Sequence, residues 1–215
     1  MKSMDKQHRI VFGKGINDYK VVKSLAGEDY VHYEDVLFNK WHSMIRRCYS
    51  DKYQERKGTH NYKKVSVWEP WLRFSNFWLW AKDMDYAGKE LDKDIIGSFL
   101  GKLNYSPDTC AFISDRLNKF LCIRGNARGD YPVGVTKHGS RYQSRCTLGS
   151  ENNRAYLGNY TTPEQAHKAW QEAKLAYGRE LLSEQTDERV IEGLTKILDN
   201  LEDDIHNGRI TEKLV

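Results

Sequence analysis

The sequence lacks any long apolar run. No stretch approaches the ~20 consecutive apolar residues that a membrane-spanning helix needs, and the N-terminus has no signal-peptide core. Cysteine is also scarce, because the four cysteines, at positions 48, 110, 122 and 146, include no CxxC pair. Such spacing fits reduced thiols better than a disulfide framework or a zinc site. We therefore predict a soluble cytoplasmic protein that does not associate with membranes.

A phosphate-binding loop is absent as well. Two glycines occur within residues 11–18, but they do not form the GxxxxGK[ST] arrangement, so a turn or hairpin is the better prediction there. What the chain has in quantity is aromatic residues: six Trp, thirteen Tyr and seven Phe, which supply bulky core material.

Charge is unevenly distributed along the chain. Residues 183–215 contain nine acids and four bases, whereas residues 116–154 contain eight bases and two acids. A basic central stretch suits a polyanion such as nucleic acid. Charge runs are also common on solvated surfaces, so this observation agrees with nucleic-acid binding without establishing it.

Residues 131–178 predict three short strands followed by one helix. Polar and apolar residues alternate over 141–148 and 154–160, after a shorter extended run at 132–137. Clusters of turn-forming residues separate the three runs, which favours an antiparallel sheet.

Thr162 predicts the N-cap of the helix after these strands. Pro163 suits the first helical position, and Gln165 completes a capping box. Gly178 predicts the end of the helix. Small and aromatic residues share one face of it: Ala166, Ala169, Trp170, Ala173 and Tyr177.

The two longer strands predict one polar face, because successive residues of a strand point to opposite sides. The helix-facing set is Tyr142, Cys146, Leu148, Ala155 and Leu157. The outward set is Arg141, Gln143, Arg145, Thr147, Arg154 and Tyr156. Arginine matches phosphate oxygens and the guanine edge, and glutamine pairs with adenine. One side of an antiparallel sheet is normally polar, however, so parity alone leaves both interpretations open.

This region resembles the plant ethylene-response-factor (apetala-type) DNA-binding domain, which also occurs in phage and homing-endonuclease proteins. The matching segments are Gly134-Val135, Tyr156-Leu157-Gly158-Asn159-Tyr160 in place of Trp-Leu-Gly-x-Phe, and Thr162-Pro163-Glu164-Gln165-Ala166. The resemblance implies that the sheet lies in the major groove of double-stranded DNA. It implies DNA contacts by Arg141, Arg145, Arg154 and Tyr156, and we add Thr136, Lys137 and Gln143 of the same sheet to the predicted DNA-binding residues. The family has arginines where this chain has Val133 and Thr136, so the plant target sequence is not implied.

Two helices are predicted in the N-terminal half. The first covers residues 34–48, with one apolar stripe: Leu37, Trp41, Met44, Ile45 and Cys48. Its bases Lys40, Arg46 and Arg47 either contact phosphate or are simply solvated. Pro70 opens the second helix, whose buried side would be Trp71, Phe74, Phe77, Trp78 and Ala81.

Residues 90–118 are the second place where the sequence indicates chemistry. They predict an acidic strand end, a loop, a Tyr-Ser-Pro-x-x-Cys turn, a short apolar strand, and a helix that begins near Ser114 and carries Asn118. This order resembles a divergent HNH endonuclease, which has a ββα-metal fold. The tryptophan-containing segment at 41–49 and the Trp/Phe spacing over 68–80 also look like phage members of that family.

Enzymes of that family use a histidine to deprotonate water and one divalent cation to stabilise phosphate charge. In the place of the usual Asp-His pair this chain has Asp92-Lys93, and Asn118 matches the middle asparagine. The resemblance implies Asp92, Lys93, Asp94 and Asn118 as catalytic candidates, with Asp92 and Asp94 as ligands of Mg²⁺ or another divalent cation. Residues two apart on a strand share one face, so the two carboxylates would equally pair with nearby bases. An ammonium is a poor base at neutral pH, and the missing histidine argues against cleavage.

A final helix is predicted from Thr186 onward, with Asp187 and Glu188 in its first turn. Its apolar stripe is Val190, Leu194, Ile197, Leu198, Leu201 and Ile205. This stripe would pack on the body of the protein or pair two copies in a homodimer.

Together the patterns predict an α+β protein: a divergent HNH-like ββα domain with aromatic-rich helices at 1–128, an ERF-like domain at 129–182 with a three-stranded antiparallel sheet packed on one helix, and an acidic C-terminal helix at 183–215. The resemblances imply a phage-type endonuclease that hydrolyses DNA phosphodiester bonds with a divalent metal, in the cytoplasm of a phage-infected bacterial cell. Two alternatives stay open: a catalytically inactive DNA-binding regulator, and a phage protein that binds and inhibits a host protein.

Overall fold

The α+β architecture predicted from the sequence is present in the computed structural model, which divides into two units, residues 1–113 and 114–215. The structure describes residues 9–27, 29–31, 34–56, 60–123, 130–149 and 154–215. The predicted domain boundary at 128/129 and most of the predicted turn before the third strand lie outside these ranges. Within the described ranges, no helix combines the length and apolarity needed to cross a membrane.

The first described elements of the first unit, from residue 9 onward, are a hairpin followed by helices. Its elements are β1 (Arg9–Val11), β2 (Gly15–Asn17), α1 (Tyr19–Ala26), α2 (Val36–Tyr49) and α3 (Asp51–Gln54). β1 and β2 pair antiparallel, which confirms the hairpin prediction for the glycines of residues 11–18.

The rest of the first unit alternates short helices and short strands. Its elements are a 3-10 helix (His60–Lys64), β3 (Ser66–Val67), a second 3-10 helix (Glu69–Leu72), α4 (Phe74–Ala81), β4 (Lys89–Asp92), α5 (Asp94–Leu100), β5 (Asn104–Tyr105) and β6 (Ala111–Ser114). β3 pairs with β5 in parallel, and β4 pairs with β6.

Aromatic rings form the core of the first unit. The apolar stripe predicted for α2 is fully buried, and the Asp35 carboxylate caps that helix by accepting hydrogen bonds from two backbone N–H groups at its start. The Trp41 indole donates to the Trp71 carbonyl oxygen at 2.8 Å. Trp41 and Phe74 lie with ring centroids 5.5 Å apart, within the range of favourable aromatic pairs.

Two predictions for the first unit were wrong in detail. The helix predicted from Pro70 is divided, because Arg73 has extended backbone between the second 3-10 helix and α4. The residues after Asp92 form α5 and not a loop. Ile95 is fully buried on that helix, and Gly101 ends it with a left-handed backbone at φ +64°. Asp94 therefore begins a helix, and it does not share a strand face with Asp92.

The described residues of the second unit form the predicted sheet and three helices. Its elements are α6 (Asp115–Leu121), β7 (Val135–His138), β8 (Arg141–Thr147), β9 (Arg154–Tyr160), α7 (Pro163–Ser183) and α8 (Glu188–His206). The sheet order is β7-β8-β9, with both pairings antiparallel, and α7 packs against all three strands.

Close packing of Trp170 requires a glycine at the start of the sheet. Gly134 has φ +82°, and a Cβ atom there would lie 2.2 Å from the Trp170 ring. The Gly134 carbonyl oxygen accepts a hydrogen bond from the Arg145 amide at 2.8 Å. The glycine therefore lets the loop pass between the indole and β8.

Helix α7 begins at the predicted cap, Thr162, but ends later than predicted. It continues to Ser183, because Gly178 serves as a contact point and not as a stop: a Cβ atom there would lie 2.4 Å from Leu198 and 2.8 Å from Phe120. At its start Thr162 accepts from the Gln165 amide, as a cap does. The Gln165 side chain, however, accepts from the amide and hydroxyl of Thr161, one residue earlier than a capping box requires.

Helix α8 packs its apolar stripe against α7. Five of the six predicted stripe residues are buried and Ile205 is partly buried. Arg179 on α7 forms an ion pair with Glu202 on α8 at 2.8 Å. The stripe is thus used within its own unit, and Asp187 is the N-cap of the helix and not part of its first turn.

Candidate nucleic-acid interface

Three arginines stand on one face of the β7-β8-β9 sheet. Arg141 and Arg145 are exposed on β8, and Arg154 is exposed on β9. The alternate residues Ser144 and Cys146 of β8 are buried. This alternation follows from the period of two in a strand, with Val135, Ser144 and Cys146 packed on the helix side.

The register brings the predicted outward residues together. Arg145 lies opposite Tyr156, Thr147 opposite Arg154, and Thr136 opposite Gln143. Cα partners in an antiparallel pair project from the same face, so these six side chains form one surface. We call this surface, with Arg141, the arginine face.

Lys137 does not share the parity of the arginine face. It pairs with Tyr142, whereas its neighbour Thr136 pairs with Gln143. Lys137 is exposed at the edge strand, on the parity of the buried Val135. The positive charge of Lys137 therefore lies at the β7 edge of the sheet and not on the arginine face.

Contacts within the arginine face orient Arg145. Its Nε donates to the Gln143 side-chain oxygen at 2.7 Å, and its guanidinium carbon lies 5.9 Å from the centroid of the Tyr156 ring. A distance of about 6 Å is within the range of a cation–π contact. The Tyr156 side chain itself is 54% exposed. These two contacts do not use the Nη groups of Arg145 as hydrogen-bond donors.

No carboxylate forms an ion pair with Arg141, Arg145 or Arg154 in the part of the chain that the structure describes. Other arginines of the second unit are neutralised: Arg116 contacts Glu180 and Glu184, and Arg179 contacts Glu202. The positive charge of the arginine face is therefore not offset by a described carboxylate, whereas the charges of Arg116 and Arg179 are.

Sequence parity missed two residues of this surface. Asn159 pairs with Gln143, and His138 pairs with Arg141, so both belong to the arginine face. The pairing of β8 with β9 shifts between Ser144 and Arg145, so that Leu157 is an extra residue on β9. Beyond Leu157 the residues of β9 that face outward are therefore the opposite set, and simple alternation does not predict Asn159 among them. On β7, alternation of side chains from Thr136 predicts that His138 faces the same side.

The second candidate site surrounds the end of β4. The Asp92 carboxylate is buried, and one of its oxygens accepts from the amides of Asp94 at 2.9 Å and Ile95 at 2.8 Å. It thereby satisfies two of the free N–H groups at the start of α5. Burial raises the pKa of Asp92 to about 6, and the nearby Asp94 charge adds to the rise.

The ammonium group of Lys93 is held by contacts with a carboxylate and two aromatic rings. Its ammonium donates to the Asp94 carboxylate, and it lies 5.8 Å from the ring centroid of Tyr62 and 5.7 Å from that of Tyr105. The side chain is only 8% exposed. An ammonium held by a carboxylate and two rings is a structural cation in this geometry and not a base.

The carboxylates do not fit a divalent cation as they stand. One oxygen of Asp92 caps α5, and Asp94 is neutralised by Lys93. Among the described residues, no group of three or more His, Cys, Asp or Glu side chains is suited to hold a metal ion. Asn118 is partly buried on α6. Mg²⁺ usually keeps several waters and is bound by one or two carboxylates, and both carboxylates here are already engaged by other groups.

The four cysteines, all within the described residues, are not joined in disulfides, and three of them are buried. Burial raises the pKa of Cys146, beneath the arginine face, to about 11. Buried thiols of this kind are unreactive near neutral pH.

Comparison with known protein families, with curated proteins and with solved structures finds no match for this chain. The functional assignment therefore depends on the geometry of the chain itself.

Proposed function

We propose that the second unit binds double-stranded DNA through the arginine face. The observation that supports this most strongly is the exposure of Arg141, Arg145 and Arg154 on one side of a single sheet, without a carboxylate partner among the described residues. Arginines that keep their charge release counterions when they contact phosphates, and this release drives protein–DNA association.

The dimensions of the sheet suit a duplex groove. Three strands about 4.8 Å apart span roughly 10 Å, and the major groove is about 12 Å wide. Arg141 and Arg145 are four residues apart on β8, a separation of about 13 Å along an extended strand, so they reach different phosphates. Gln143 lies between them and offers an amide to a base edge.

The orientation of Arg145 also favours recognition of a planar group. The bond to Gln143 and the Tyr156 ring restrict its rotamers before any ligand arrives. Ordering a free arginine side chain costs about 1 kcal/mol on binding, so a restricted one binds with less loss.

Salt-dependent binding to a labelled duplex tests the proposal. Arg145→Ala and Arg154→Ala should each weaken binding and reduce the slope of log K against log salt by about 0.9, since each removes one phosphate contact. Arg179→Ala is the matched control, because it changes net charge equally but removes an arginine already paired with Glu202. Unchanged slopes in both test variants, or an equal loss in the control, would contradict the proposal.

Phosphodiester hydrolysis is a second candidate function. It is favoured by the element order of the chain, in which β4 and β6 pair and α6 follows, with Asp92 as the last residue of β4. That order is the one implied by the resemblance to ββα-metal endonucleases. Asp92 caps α5 and Asp94 pairs with Lys93, so neither carboxylate is available to a metal ion as it stands. For this reason hydrolysis is less well supported than DNA binding without cleavage.

A plasmid assay separates the two candidates. Supercoiled plasmid is incubated with the protein and Mg²⁺ or Mn²⁺, beside the double variant Asp92→Ala/Asn118→Ala. Cutting that disappears in the double variant supports hydrolysis. Tight binding without cutting supports a DNA-binding regulator.

A further inference from the structure

A polar cleft of about 270 Å³ opens between α2 and the short strands of the first unit. Helix α2 lines it with residues spaced three and four apart, which fall on one helical stripe. β4 and β5 line the other side. The polar lining residues are Asn39, Lys40, Ser43, Arg47, Glu90 and Tyr105.

Arg47 is the unusual member of this lining. It is partly buried, and no carboxylate forms an ion pair with it in the described part of the chain. Its guanidinium carbon lies 6.0 Å from the Tyr62 ring centroid, and the ammonium of Lys93 approaches the same ring at 5.8 Å. Two cations thus share one aromatic ring, with Asp94 paired to Lys93 alone.

A partly buried guanidinium is unfavourable without an anion. Aromatic rings stabilise a cation but do not neutralise it, and a desolvated charge needs a counter-charge and hydrogen bonds. The cleft contains two cations, Lys40 and Arg47, against one carboxylate, the exposed Glu90. Its net charge is therefore positive. Ser43 offers a hydroxyl, and the Tyr105 hydroxyl accepts a hydrogen bond from the Arg47 guanidinium, which leaves its own proton to donate.

We infer that this cleft binds a phosphate group, supplied either by a nucleic-acid backbone or by a free phosphate ester. The planar fork of Arg47 matches two phosphate oxygens, and the hydroxyls of Ser43 and Tyr105 can donate to the others. Pockets for whole small molecules are typically about 300–1,000 Å³, so a cleft near the lower limit suits a compact charged group. The inference stands independently of DNA binding by the arginine face.

Calorimetric titration with inorganic phosphate tests the inference. Arg47→Met should weaken phosphate binding about tenfold or more, because it removes charge-assisted hydrogen bonds. Arg46→Met is the matched control, since Arg46 is the next residue of α2, is exposed, and does not line the cleft. Glu90→Gln should tighten binding about threefold by removing a repelling carboxylate.

Ser43→Asp keeps the test decisive if Arg47→Met fails to fold. It places a carboxylate four residues before Arg47 on α2, where the two side chains can pair, so the helix is retained and the cleft loses its free cation. Phosphate binding should then be abolished while thermal unfolding is unchanged or raised.

A short DNA duplex, measured in the same variants, distinguishes the two sources of phosphate. Weaker duplex binding in Arg47→Met but not in Arg46→Met assigns the cleft to a backbone phosphate. Binding of inorganic phosphate that Arg47→Met weakens, with no effect on the duplex, assigns it to a free ester. The inference is overturned if neither ligand responds to Arg47→Met and Ser43→Asp, or if Arg46→Met is as damaging as Arg47→Met.

Discussion

Replacing Asp92 by Asn should stabilise the protein at neutral pH. The carboxyl is 8% exposed, and its burial together with the nearby Asp94 charge raises its pKa from 3.8 to about 6. Lys93 and the two capping N–H groups act in the opposite direction without reversing the rise. This difference in pKa corresponds to roughly 3 kcal/mol of unfolding free energy at pH 7. Asparagine keeps the side-chain oxygen that caps α5, so most of the gain should be observed.

The sign of the pH dependence follows from the raised pKa. In the unfolded chain Asp92 ionises near pH 3.8, whereas in the folded chain it holds its proton up to about pH 6. Its contribution to stability is present below the lower value and is lost as the pH rises through the higher one. The asparagine variant cannot ionise there, so its advantage over the wild type should grow from about zero near pH 4 to roughly 3 kcal/mol above pH 7.

Urea unfolding at several pH values between 4 and 7.5 measures this advantage. Asp92→Ala is the control, because it also removes the charge but loses the helix cap, which costs about 1 kcal/mol. It should therefore be less stable than Asp92→Asn by that amount at every pH. An asparagine variant less stable than the wild type at pH 7.5 would refute the reasoning. It would mean that Asp92 is ionised in the folded state and held by Lys93.

Two further predictions concern the second unit. Lys174 is buried, with its ammonium 4.2 Å from the Phe120 ring centroid, and burial lowers its pKa to about 8. Lys174→Met should therefore raise the unfolding free energy at pH 7 by up to roughly 3 kcal/mol. This gain over the wild type should shrink as the pH rises from 8 toward 10.5, because the wild-type lysine then loses its charge. A gain that does not change with pH would contradict the prediction. Gly134→Ala should lower the unfolding free energy of the protein by about 3 kcal/mol or more, because the new Cβ meets the Trp170 ring. Gly139 is the control: its backbone is also left-handed, but no atom lies within 4 Å of the added Cβ, so Gly139→Ala should cost only about 1 kcal/mol. Thermal unfolding measures both values.

Features set by local periodicity could be predicted from the sequence. The α2 stripe follows from the 3.6-residue period of a helix, and every residue predicted for it is buried. The exposed arginines of β8 and the buried Cys146 follow from the two-residue period of a strand. The cap at Thr162 depends only on residues within one turn, so it too could be predicted.

Features set by contacts between distant residues could not be predicted. Gly178 has the composition of a helix end, but its role depends on Leu198 and Phe120, which pack on it from other helices. The structural role of Asp18 could not be predicted for the same reason. Its buried carboxylate accepts hydrogen bonds from the Ser75 amide at 2.9 Å and from the Ser75 hydroxyl at 2.7 Å, across a separation of 57 residues. The extra residue on β9 depends on its pairing with β8, and no periodicity in β9 alone reveals it.

The candidate catalytic residues illustrate a different limit. The spacing of Asp92 and Asp94 predicts two carboxylates on one strand face, but Asp92 ends the strand and caps the helix that Asp94 begins. An aspartate before an apolar segment is compatible with either role. Only the tertiary structure distinguishes a cap from a ligand.

The most direct test of the account compares two triple variants in duplex binding over a range of salt concentrations. One removes the arginine face (Arg141, Arg145 and Arg154 to Ala), and the other removes three ion-paired arginines of the same unit (Arg116, Arg179 and Arg189 to Ala). Both change net charge equally. We expect the first to reduce the slope of log K against log salt by about 3 and the second to leave it almost unchanged. Equal slopes in the two variants would contradict DNA binding through the arginine face.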